Sequence, residues 1–206
     1  MTKNNCVSLT ARLIAGALCV ASVAACTPLV VGGALTGAMV AVDRRSSGAQ
    51  LDDQGIELRA ANRLRDQLGN RARVSVTSYN RHVLLTGEAA SEAAKAEAEA
   101  ILRSIDSVGP IYNELAITNS PSFSEKASDG LLTGRVKAGL VEIRELSANA
   151  FKVVSERGTV YLMGRVTQKE ANMATEVART TKGALRVVRV MEILTEEELA
   201  RLPLAQ

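Results

Sequence analysis

The sequence predicts an α+β protein assembled from two tandem copies of one small domain, each α-β-β-α-β, with helices packed on one face of a small mixed sheet. Two observations carry this. The stretch Arg73–Glu88 recurs at Ala150–Arg165: Val74 falls on Phe151, Val76 on Val153, Val83 on Val160, Leu85 on Leu162 and Gly87 on Gly164, a constant offset of 77. Ahead of each stretch, apolar residues recur four apart, Ile56-Ala60-Leu64 and Leu132-Val136-Leu140, at an offset of 76. Repetition at a fixed interval is the mark of a duplicated unit.

The elements follow in chain order. Residues 1–25 read as a lipoprotein signal peptide. Lys3 and Arg12 precede an acid-free run of 13 residues, Leu13–Ala25, which ends in small residues before Cys26. A spanning helix needs about 20 apolar residues, so the run is too short to cross a bilayer. Val23-Ala24-Ala25-Cys26 resembles the bacterial lipobox, which makes Cys26 the lipidation site and residues 26–51 a lipidated N-terminus and flexible tether. Cys6 and Cys19 would leave with the signal peptide, and Cys26 would take the lipid. No thiol would then remain for a disulfide.

The first domain is expected over 52–118 and the second over 129–194. In each, apolar residues alternate on both sides of a turn, Tyr79-Asn80-Arg81 and Glu156-Arg157-Gly158, as in a half-buried hairpin. Gly87 and Gly164 are expected to end the second strand, where a bend or a close helix would exclude a side chain. Helices follow at Ser91–Ser104, with Ala93, Ala96, Ala100 and Ile101 at helical spacing, and at Lys169–Lys182, with Met173 and Val177. Ser91 and Thr167 stand at the N-cap positions. A last strand closes each unit, Ile111–Ile117 and Val187–Ile193. Residues 119–128 read as a linker and 195–206 as a C-terminal tail that either makes one helical turn or frays.

The αββαβ unit with Val83-Leu-Leu-Thr-Gly87 and Val160-Tyr-Leu-Met-Gly164 resembles the BON domain. Two such units behind a lipobox, with Asp43-Arg44-Arg45-Ser46 and Gln50-Leu-Asp-Asp53 between, are similar to the dual-BON lipoproteins of the bacterial outer membrane. The resemblance implies a lipid-anchored, non-catalytic protein that faces the periplasm and supports envelope integrity, gathered at the division site. It implies binding of anionic phospholipid, such as phosphatidylglycerol, through the first helix of the second domain. It also links the chain with the outer-membrane protein assembly complex, which leaves a protein–protein adaptor, for that complex or for peptidoglycan remodelling, as the competing reading.

Charge bears on this choice. Residues 52–118 hold eight Lys/Arg and ten Asp/Glu, whereas residues 129–194 hold eleven and seven. The second copy is the one suited to a negative surface. Beside its core stripe lies Leu131, where the first copy has Gly55, and a residue next to a core position on a helix points about 100° away from it. Leu131, Gly134, Arg135 and Ala138 therefore form the candidate phospholipid-binding face: one apolar prong, one cation and two small residues. Close relatives in the family carry tryptophan at the position of Leu131, and this chain has no tryptophan.

No catalytic residue, metal site or cofactor is nominated beyond the covalent lipid on Cys26. His82 is the single histidine, read as an ordinary surface residue, and no His/Cys cluster has metal-site spacing. Two Phe and three Tyr give no stacking platform for bases, which argues against nucleic acid as a partner.

Overall fold

The computed structural model describes residues 43–118 and 123–202. The signal peptide, Cys26 and the tether as far as residue 42 lie outside the described residues, as do 119–122 and 203–206.

The first domain runs α1 (Ser47–Leu68), β1 (Ala72–Tyr79), β2 (His82–Ala89), α2 (Glu92–Arg103), β3 (Ile111–Asn113) and β4 (Ala116–Ile117). The second runs α3 (Phe123–Glu142), β5 (Phe151–Glu156), β6 (Thr159–Thr167), α4 (Gln168–Thr180) and β7 (Arg186–Leu194), followed by the short α5 (Glu196–Ala200). In each sheet the second strand is central. β2 pairs antiparallel with β1 and parallel with β3 and β4. β6 pairs antiparallel with β5 and parallel with β7. The chain is thus α+β with two mixed sheets, as the repeat predicts.

Each core lies between the helices and one sheet face. Ile56, Ala60 and Leu64 meet Val83, Leu85 and Leu102 in the first domain. Leu132, Val136 and Leu140 meet Val160, Leu162 and Val166 in the second. Both hairpins close through two-residue turns, Asn80-Arg81 and Arg157-Gly158, with positive φ at all four residues. That geometry follows the right-handed twist of the flanking strands. Ser91 caps α2, and Thr167 caps α4 in a capping box with Glu170.

Six expectations need correction. The stripe that α2 buries is Ala94, Ala98, Ile101 and Leu102, while Ala93, Ala96 and Ala100 face solvent; alanines fall on both the buried and the exposed side of this helix, so they do not mark its core face. Gly87 and Gly164 sit inside their strands, which run on to Ala89 and Thr167. What approaches them is neighbouring backbone, because a Cβ at Gly87 would stand 2.1 Å from the Arg73 carbonyl oxygen and one at Gly164 2.6 Å from that of Ala150. The strand expected over Ile111–Ile117 is broken in two, with Leu115 turned into the core at 2% exposure. The expected linker is helical from Phe123, and the expected tether is helical from Ser47. Finally, His82 is half-buried. It stacks on Tyr112 with ring centroids 6.2 Å apart, burial lowers its pKa, and its Nδ1 has no hydrogen-bond partner among the described residues.

A third apolar cluster joins the two copies. Tyr79 and Leu84 of the first domain pack with Tyr161, Met163 and Val190 of the second. The outer faces of both sheets are therefore buried against each other. Polar contacts line this seam: the Tyr79 hydroxyl donates to the Ala150 carbonyl at 3.2 Å, Asn80 Nδ2 to Glu192 at 2.7 Å, and Lys152 Nζ to Glu57 at 2.9 Å.

Candidate functional site

The candidate face is built on α3. Packing of Leu132, Val136 and Leu140 fixes the rotation of this helix, and the residues beside them turn outward. Leu131 is 60% exposed, and Gly134, Arg135 and Ala138 are all exposed. The structure thus brings the four residues together on one helix face and leaves Leu131 largely open to solvent. One turn further on, Val141 extends the apolar character at 69% exposure. A Cβ added at Gly134 would meet nothing within 4 Å, so the backbone there is open to approach.

Two structural details that sequence reasoning missed shape this end of the domain. Asp129 is buried, two residues before Leu131, and accepts hydrogen bonds from the backbone N–H groups of Arg157 at 2.7 Å and Gly158 at 2.9 Å. The start of α3 is thereby pinned to the β5–β6 turn. From the other side, the Leu185 N–H donates to the Gly158 carbonyl at 2.8 Å, and the Leu185 side chain is 84% exposed. Arg135 Nη1 donates to the Lys182 carbonyl at 3.3 Å, joining α3 to the same loop. One end of the second domain therefore carries two exposed leucines, Leu131 and Leu185, with the cations Arg135 and Lys182 beside them. The loop 182–185 has no apolar periodicity, which is why the sequence did not nominate it.

The first domain repeats the pinning with more donors. Asp53, 76 residues before Asp129, accepts from Ser78 Oγ at 2.6 Å, the Asn80 N–H at 2.7 Å, the Arg81 N–H at 2.8 Å and Arg45 Nη1 at 2.9 Å. Burial alone would raise its pKa, but the bonds from Ser78, Arg81, Arg45 and Asn80 hold it below the usual carboxylate range. Its counterpart of the α3 face reads Gly55, Leu58, Arg59 and Asn62. Apolar exposure is present there too, at Leu51 (69%) and Leu58 (65%).

Among the described residues no group of three or more His, Cys, Asp or Glu is placed to hold a metal ion. No described helix is long and apolar enough to cross a membrane.

Two α-β-β-α-β units with their helices on one sheet face define a tandem-domain class, and comparison with known proteins identifies it. The BON domain matches residues 52–119 and 128–195, so the chain belongs to the BON-domain family. It is 35% identical over 171 residues to the "Outer membrane lipoprotein DolP" of Haemophilus influenzae, covering 82% of this chain and 89% of that one. It is also 35% identical over 152 residues to a "21 kDa hemolysin" of Actinobacillus pleuropneumoniae, covering 73% and 78%. Among solved structures, CdsD, a structural protein of the type III secretion system of Chlamydia trachomatis, matches with a TM-score of 0.30 at 13% identity, over 69% of this chain and 98% of that one.

Proposed function

We propose that the protein is an outer-membrane lipoprotein, anchored through Cys26 and facing the periplasm, whose second BON domain binds anionic phospholipid such as phosphatidylglycerol and so supports envelope integrity at the division site. The observation that carries the lipid reading is the exposure of Leu131 beside Arg135, on the copy with the basic balance. Inserting Leu131 into the interface contributes on the order of 1.5–3 kcal/mol if it is fully buried. Each cation near a negative surface adds about 1 kcal/mol. Such contacts are weak alone and salt-sensitive, but they suffice for a protein whose acyl chains already hold it at the bilayer.

Sedimentation of residues 43–206 with vesicles tests this. Vesicles containing phosphatidylglycerol are expected to retain the protein and pure phosphatidylcholine vesicles to release it. Leu131→Glu combined with Arg135→Glu is expected to abolish retention. Binding that survives both substitutions removes the assignment of this face.

One observation favours a second reading, a periplasmic adaptor for the outer-membrane protein assembly complex or for peptidoglycan remodelling. The first domain exposes Leu51 and Leu58 two helical turns apart without a basic balance, a composition better suited to a protein surface than to a charged bilayer. An adaptor yields crosslinks from this helix to one defined protein and is indifferent to lipid charge.

A further inference from the structure

The segment Asp43–Ser46 immediately precedes α1, yet it contributes to neither domain core. It is also not part of the repeat, because the same offset of 76 brings Asp43-Arg44-Arg45-Ser46 onto Asn119-Ser-Pro-Ser122. What it touches explains its presence. Arg44 grips Glu170 of the second domain in a two-pronged pair, Nη1 to Oε2 at 2.8 Å and Nη2 to Oε1 at 2.7 Å. Its Nη1 also donates to the Arg165 carbonyl at 3.0 Å. The next residue turns to the first domain. Arg45 donates Nη1 to Asp53 at 2.9 Å and Nη2 to Asp43 at 2.7 Å, and its guanidinium lies 4.3 Å from the centre of the Tyr79 ring. The Tyr79 hydroxyl continues the chain of contacts into the second domain at the Ala150 carbonyl.

These are not surface pairs. The Arg44 and Arg45 side chains are 13% and 15% exposed, and Glu170 and Asp53 are 10% and 2% exposed. Two-pronged guanidinium–carboxylate pairs sheltered from water are directional, and removing one partner strands a buried charge. Both carboxylates also have structural duties of their own: Glu170 closes the α4 capping box on the Thr167 N–H at 2.9 Å, and Asp53 holds the β1–β2 turn.

We infer that Asp43–Ser46 is a clasp that fixes the two BON domains against each other, with Arg44 bolted to the second domain and Arg45 to the first. The chain arriving from the N-terminal side therefore enters the folded body at the seam, and the seated arginines hold that seam closed alongside the apolar cluster of Tyr79, Leu84, Tyr161, Met163 and Val190. This holds whether or not the α3 face binds lipid.

Zero-length carbodiimide crosslinking of the full-length protein in detergent micelles, read by mass spectrometry, tests the clasp. Lys152 and Glu57 span the seam at 2.9 Å, and Lys169 and Glu145 form a pair inside the second domain at 2.8 Å. In Arg44→Met/Arg45→Met the seam adduct is expected to fall about fivefold or more, as the buried two-pronged pair from Arg44 to Glu170 is lost together with the Arg45 contacts that seat its segment on the first domain, while the internal adduct is unchanged. An unchanged seam adduct beside a normal internal one overturns the inference. If both adducts fall together the double variant has unfolded, and Glu170→Gln, which keeps an acceptor for the α4 cap, decides in its place. Loss of the seam adduct alone in that variant supports the clasp, and retention overturns it.

Discussion

The two BON domains share a core and differ in what they present outward. Ile56, Ala60 and Leu64 superpose by sequence on Leu132, Val136 and Leu140, and all six are buried. One step around the same helices, Gly55 corresponds to Leu131, Leu58 to Gly134 and Asn62 to Ala138. Packing constrains the stripe that meets the sheet and leaves the opposite stripe free to change. That is where a duplicated unit can acquire a new role at little expense in stability. Apolar exposure by itself does not separate the copies, since Leu51 and Leu58 are as exposed as Leu131. Net charge does, and it singles out the second.

The largest effect that separates the copies is expected at their equivalent glycines. Gly87 has φ +114° and lies closer to the opposing carbonyl than Gly164, which keeps an ordinary φ. Gly87→Ala is expected to destabilise by about 4 kcal/mol, through backbone strain and a backbone clash. Gly164→Ala is expected to cost about 2 kcal/mol. Urea unfolding of both variants checks the order. Equal costs would mean that the positive φ at Gly87 adds no strain beyond the close backbone approach that both glycines share.

Next come the buried turn-holding aspartates. Asp53→Ala strands two turn amides, the Ser78 hydroxyl and Arg45, and is expected to cost about 3 kcal/mol. Asp129→Ala frees two turn amides and is expected to cost about 2 kcal/mol. The same urea midpoints measure both.

A smaller effect is expected with pH. Asp53 is held below the usual carboxylate range as described, and Glu170 is as well: burial opposes its charge, but Arg44 and the Thr167 cap outweigh burial. Both carboxylates bind a proton less readily folded than unfolded. Their stabilisation is therefore full above the unfolded value, near pH 4, and is lost as pH falls through the lowered folded values. Urea midpoints are expected to drop on acidification below about pH 4, and Asp53→Asn is expected to flatten that dependence.

The smallest stability effect is expected at Leu131. An exposed leucine replaced by serine should change stability by about 0.5 kcal/mol or less, even while binding to anionic vesicles falls.

Much of this was legible in the residues. The repeat defined both hairpins, both leading-helix stripes and both N-caps, because each rests on local periodicity or on a side chain three residues from its partner. The seam was not read, although a signal existed. Val83-Leu84-Leu85 and Val160-Tyr161-Leu162-Met163 are unbroken apolar runs, which mark strands buried on both faces, whereas a half-buried hairpin alternates. Asp53 and Asp129 were visible as an aligned pair of acids, but their burial depends on turn amides more than 20 residues away in sequence. Arg44 and Arg45 stood out as a motif, and only the fold shows that one faces each domain.

The most direct test is a residue-by-residue NMR shift map of the folded body titrated with phosphatidylglycerol. Shifts are expected to cluster at Leu131, Gly134, Arg135 and Ala138, and to spare their counterparts Gly55, Leu58, Arg59 and Asn62. Equal shifts on the two helices, or shifts confined to the first, would contradict the account.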